Sequence, residues 1–145
     1  MKSFLSKAIA YTAFAAVITG CASGLTVNQE REYAAFERNN VLVKEKDPTS
    51  GALFGLLPGG GSFYAREPGL GVANLFLWPL SIAWDTTSGY DGAKAINYDA
   101  TRYELDRKKK KELTVLTDKY AVDDISKKEY LLEKQKIENA YSFAP

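Results

Sequence analysis

The sequence predicts a mainly α-helical fold: a short, membrane-associated apolar helical hairpin, followed by a C-terminal helix–turn–helix that forms a longer helical hairpin, and not a compact globular domain. Three observations predict it. Gly51, Gly55 and Gly59 recur at every fourth residue in an apolar stretch, which puts them on one helical face where another backbone can approach. Ala93, Ile96, Ala100 and Tyr103 follow at three- and four-residue intervals, the period of a helix. Ser126-Lys127-Lys128-Glu129 has the form of a capping box, in which the serine bonds a free backbone amide and the glutamate reaches back.

The first element is expected to be a signal peptide. Lys2 and Lys7 give it a basic start, Ala8 to Ile18 an apolar run, and Ile18-Thr19-Gly20-Cys21 a small-residue exit. Those four residues resemble the lipobox of bacterial lipoproteins. The resemblance implies cleavage before Cys21, a diacylglycerol on its sulfur and a third acyl chain, such as palmitate, on the freed amine. One acyl chain holds a protein only marginally, at about 0.8 kcal/mol per buried methylene, whereas three make a durable anchor. Cys21 is the only cysteine, so no internal disulfide is open to it. Ala22, where an aspartate would be a retention signal, implies by the same resemblance the periplasmic side of the outer membrane over the inner membrane.

Composition closes several function classes. Without residues 1–20, which carry Lys2 and Lys7, the chain has 17 basic and 18 acidic side chains and a net charge of −1. That balance and an exported address give no footing for nucleic acid. The chain has no histidine, the commonest general base and metal ligand, and acylation consumes its one thiol. No metal, cofactor or small-molecule substrate is expected.

Residues 21–50 are read as a lipidated N-terminus and polar leader that spaces the rest from the lipid. Asn28 to Asn39 has helical character around Tyr33 and Phe36, and Val41-Leu42-Val43 suits a short extended piece. Asp47-Pro48-Thr49-Ser50 is a turn cluster, with Thr or Ser to cap the next segment.

Residues 51–85 form the next element. Between Gly51 and Asp85 the only charges are Arg66 and Glu67. Pro58 and Gly59-Gly60-Gly61 break a first helix, and a second apolar segment runs from Gly69 to Trp84. Sixteen residues of helix reach about 24 Å at ~1.5 Å per residue, short of a bilayer core of ~30 Å. Pro79 interrupts the segment as well. A re-entrant or interfacial hairpin fits better than two crossings, with Trp78 and Trp84 at headgroup depth. The stretch resembles the TM-two family of two-helix membrane hairpins in Gly59-Gly60-Gly61, Phe63-Tyr64, Gly69, Gly71 and Trp84-Asp85. Ser62 stands near where that family often has a histidine, and the resemblance implies no reaction. Gly55 to Ser62 also fits a phosphate-loop spacing, but Gly61 replaces the lysine that pairs the phosphates.

Residues 86–145 are expected to be helical after a loop. Thr86 to Gly92 reads as that loop, with Asp91 a helix cap. Lys108 to Lys111 reads as a solvated helix face, diluted by Glu104, Asp106 and Glu112. Leu113, Leu116 and Tyr120 line one face of the helix ahead of the capping box. Tyr130, Leu131, Lys134 and Ile137 line the helix behind it, with Ile125 and Tyr130 as a hydrophobic staple. Residues 113–140 resemble the SHOCT motif in Leu113, Leu116, Ile125-Ser126, Glu129-Tyr130 and Lys134. That motif is associated with interaction or oligomerisation. Its turn usually holds a glycine, and here Asp123 or Asp124 must take that backbone conformation.

The expected function is therefore a non-enzymatic, lipid-anchored module of the bacterial envelope. Gly51, Gly55, Gly59, Phe63, Tyr64, Trp78 and Trp84 would serve packing and membrane contact. Leu116, Tyr120, Ile125, Ser126, Glu129 and Tyr130 would serve interaction. The expected partners are membrane lipid through the acyl anchor, and a second copy or a periplasmic or membrane protein. A prophage- or envelope-encoded modulator, such as an exclusion or assembly factor, is the alternative. A hydrolase would need Asp85 or Asp91 with Ser62 or Ser88, and the sequence displays no nucleophile–base pair.

Overall fold

The computed structural model describes residues 24–143; Cys21 and the expected signal peptide lie outside the described residues. Within that range the chain is mainly helical, with six helices and no strand among the described residues. Each start has a local cause. Thr26 and Gln29 cap each other's amides at the head of α1, Val27–Arg38. The Asp47 carboxylate accepts from the Ser50 amide, and Pro48 supplies the first residue of α2, Pro48–Phe54. Gly59 at φ 68 turns the chain into α3, Gly60–Tyr64. Pro68 opens α4, Pro68–Phe76, and after a turn at 77–81 comes α5, Ile82–Ala121. The Ser126–Glu129 box caps α6, Lys127–Ala140.

These helices gather into two compact units. Gly24, Leu25 and Glu45–Ile96 form the first; Thr26–Lys44 and residues 97–143 form the second, so α5 supplies both.

The second unit is built on aromatic burial. Phe36 of α1 is fully covered, stacks on Tyr98 at 5.8 Å and meets the edge of Phe143 at 5.2 Å. Tyr33, Leu105 and Leu116 are buried in the same unit. The Tyr98 hydroxyl donates to Glu32, which Arg102 also pairs at 3.1 Å. Burial, and then the bond to Glu32, raise the Tyr98 phenol above its ordinary value. Thr101 Oγ1 accepts from the Val43 amide at 2.9 Å, which fixes the irregular 41–44 segment. Tyr120 of α5 stacks on Tyr130 of α6 at 4.9 Å, and the Tyr141 hydroxyl donates to Glu112 at 2.7 Å. Between α5 and α6, Asp123 takes φ 58.

Several expectations are corrected here. The polar leader is no bare spacer, because Tyr33 and Phe36 carry it into an aromatic core. Val41 to Val43 belongs to no helix or strand. Residues 86–92 are not a loop but lie inside α5, so Asp91 does not start that helix. Their Ser, Gly and Thr content reads as a breaker, yet Ser88, Gly89 and Gly92 are the residues small enough to be buried there. The interruption expected at Pro79 is present: the segment from Gly69 to Trp84 is split at 77–81, and the Trp78–Pro79 bond is cis.

Candidate functional site: a buried carboxylate beneath an apolar surface

Asp85, in the first turn of α5, is 0% exposed and is the centre of the first unit. Its Oδ2 accepts from the Gly61 amide at 3.0 Å. Its Oδ1 accepts from the Ser62 amide at 2.9 Å, the Ser62 hydroxyl at 2.6 Å and Asn74 Nδ2 at 2.8 Å. Asn74 Oδ1 in turn accepts from the Trp84 indole N–H at 2.9 Å, and the Asn74 carbonyl from the Ser81 hydroxyl at 2.9 Å. One carboxylate so ties α3, α4, the 77–81 turn and α5 together. Charge-assisted bonds of this kind are about twice as strong as neutral ones, and covered polar groups need every one of them.

Close backbone contact makes this knot possible. A Cβ on Gly51 would lie 2.2 Å from the Gly89 carbonyl oxygen, and one on Gly55 2.3 Å from Thr86 Cα. Gly51 and Gly55 thus face α5 of their own chain. Gly59 does not share their helical face: α2 ends at Phe54, and Gly59 sits in a left-handed turn against the Gly71 carbonyl. The helix stops there because Gly55 is its C-cap and the Leu56–Gly59 turn reverses the chain.

What the unit covers and what it exposes are the reverse of an aqueous fold. Every buried residue from Glu45 to Ile96 is Gly, Ala, Ser, Asn or Asp. Leu53, Leu56, Leu57 and Trp78 are exposed, as are Phe76 at 80% and Leu80 at 72%. Monomeric soluble proteins rarely show a broad apolar surface, whereas polar side chains of membrane-embedded bundles face the interior. No helix among the described residues is long and apolar enough to cross a membrane.

The other expected residues are placed in various settings. Phe63 is exposed beside Gly71. Tyr64 stacks on Phe54 at 5.2 Å, lies under the Lys46 ammonium at 4.4 Å, and its hydroxyl accepts from the Asp47 amide at 3.0 Å. Trp84 is half-buried with its indole N–H spent on Asn74, so only Trp78 of the two tryptophans is free to face outward. In the second unit Leu116 is buried, Ile125 half-buried, and Tyr120 pairs with Tyr130. Ser126 and Glu129 exchange the bonds expected of them, and the Ser126 hydroxyl, then its amide, hold the Glu129 carboxyl below its ordinary value.

Two chemical alternatives can be judged on this geometry. Ser62 and Asp85 do meet, but both are 0% exposed, so no substrate carbonyl can reach the hydroxyl. The amides of Gly61 and Ser62 could face a phosphate, but the Asp85 carboxylate already fills that position. A cavity of about 330 Å³ in the second unit is bordered by Glu32, Arg102, Asp106, Lys109 and Glu138, charges of both signs that select neither anion nor cation.

Asn74 and Ser81 are the site residues that sequence reasoning passed over, and Ser88 was read only as a serine a hydrolase would need. Their signal was a stripe: Ser81, Asp85, Ser88 and Gly92 recur at helical spacing, where a water-soluble helix would place Leu or Val. Ser88 Oγ is the one buried side-chain polar atom without a hydrogen-bond partner among the described residues. No family model, characterised protein or solved structure matches this chain.

Proposed function

We propose that this chain is a non-enzymatic lipoprotein of the bacterial envelope, held by acyl chains on Cys21, that acts as a membrane-bound interaction module. The observation that carries this reading is the reversed first unit, polar within and apolar without, which requires a non-aqueous neighbour. The second unit has the opposite character. Its aromatic core suits it to stand in water and offer α5 and α6 to another protein or a second copy. The Ile18-Thr19-Gly20-Cys21 sequence supports the anchor, and Ala22 supports the outer membrane as its address. Metabolic labelling with palmitate tests the reading: the wild-type chain takes label and fractionates with membranes, and Cys21→Ser takes none. An unlabelled wild-type chain overturns it.

A further inference from the structure

The first unit has an axis of polarity. The close contacts Gly51 to Gly89 and Gly55 to Thr86 make α2 antiparallel to the start of α5. The beginning of α2 therefore lies beside residue 89, and its end lies towards Ile82. At the first of these ends the charges collect. Arg66 pairs Glu45 at 2.9 Å, Lys46 covers Tyr64, and the Asp47 amide bonds the Tyr64 hydroxyl. Glu67 adjoins Arg66, and Asp91 and Lys94 come after residue 89 along α5. At the opposite end stand two apolar turns, Leu56-Leu57-Pro58 and Leu77-Trp78-Pro79-Leu80. Asp85 is the one charged residue between these ends, and it is sealed among four donors.

We infer that this unit is a single-leaflet wedge. Its apolar end, with Leu56, Leu57, Phe76, Trp78 and Leu80, enters the acyl layer, while its charged end stays among the lipid headgroups. The dimensions fit one leaflet. From Ile82 to Asp91 α5 rises about 14 Å at ~1.5 Å per residue, close to half of a ~30 Å hydrocarbon core. The position of the N-terminal chain selects lipid over other apolar neighbours. Gly24 lies against the Asp91 side chain, at the charged end. Cys21 is three residues before it, a reach of at most about 10 Å of extended chain. Acyl chains on Cys21 would start at the headgroup level that the charged end defines and enter the same leaflet as the apolar turns.

The choice of leaflet rests on the proposed acyl anchor; insertion itself does not, and the experiment separates them. The mature chain carrying Cys21→Ser is mixed with vesicles of phosphatidylethanolamine and phosphatidylglycerol, some brominated along their acyl chains. The wedge predicts flotation with the vesicles and bromine quenching of tryptophan emission, with most of the quenching lost in Trp78→Phe. Phe76→Glu with Leu80→Glu, at two exposed positions, weakens flotation at least about tenfold while helicity by circular dichroism is unchanged. An unanchored chain that stays in solution overturns the wedge, whether as a monomer or as an oligomer whose Trp78 is covered by another copy. So does labelling of a cysteine at Leu57 by an impermeant reagent trapped inside the vesicle, which marks a span. Loss of palmitate label, by contrast, removes the anchor and leaves the wedge standing.

Discussion

In the second unit the large covered side chains are Phe36, Tyr33, Tyr98, Leu105 and Leu116, with Ala35, Asn97 and Thr101 among them; in the first unit every covered residue is a glycine, alanine, serine, Asn74 or Asp85, with Phe76 and Leu80 outside. The same chain thus obeys two inside–outside codes. Where water is the solvent, apolar area removed from it drives packing, at about 25 cal/mol per Å². Where the neighbour is apolar, that gain disappears, and close backbone approach and internal hydrogen bonds must hold the helices instead. Gly51 against Gly89 and the four bonds to Asp85 are those two devices.

Four substitutions or conditions break or sharpen the contrast. The largest effect falls on the first unit. Asp85→Ala leaves the amides of Gly61 and Ser62, the Ser62 hydroxyl and Asn74 Nδ2 without their acceptor. At roughly 1–3 kcal/mol for each orphaned group, we expect a loss on the order of 5 kcal/mol, read as collapse of hydrogen-exchange protection at 61 and 62. Protection in residues 97–120 should stay near wild type. Phe36→Ala is the mirror experiment. It empties the second unit's aromatic core and should destabilise that unit by about 4 kcal/mol in denaturant, with exchange at 61 and 62 nearly unchanged.

Gly55→Ala is smaller and tests backbone contact. The added methyl meets Thr86 Cα at 2.3 Å and should destabilise the first unit by about 2–3 kcal/mol, in lipid as much as in water. The smallest effect concerns pH. Glu129 is held below its ordinary value by Ser126, so the capping box contributes above the ordinary carboxylate pKa of about 4.3. That contribution fades as pH falls through the lowered folded value. In an NMR titration Ser126→Ala should move Glu129 only part of the way back up, because the amide of residue 126 still donates to its carboxylate.

The second unit was largely legible from sequence because it obeys the familiar code. The helix around Tyr33 and Phe36, the Ser126–Glu129 box and an aspartate in the α5–α6 turn all appear as read. Thr26 with Gln29 carries the same signature as the later box and was there to be found. The first unit was harder for a physical reason. A search for apolar periodicity marks the face of a helix that is covered, and here that face carries Ser81, Asp85, Ser88 and Gly92. Read by the aqueous rule, residues 86–92 look like a loop; read by the reversed rule, Ser88, Gly89 and Gly92 are the inner face of α5 and Thr87 and Tyr90 its outer face. The partner of the Trp84 indole N–H, Asn74, was likewise not legible from its sequence position.

The most direct test of the two codes is photo-crosslinking in living cells. A diazirine amino acid is placed at Phe76 of the first unit or at Leu131 of the second, both exposed on the wild-type chain. Position 76 should yield a phospholipid adduct and position 131 none. A Phe76 probe that marks only protein, or lipid adducts of equal yield at both positions, would contradict the account.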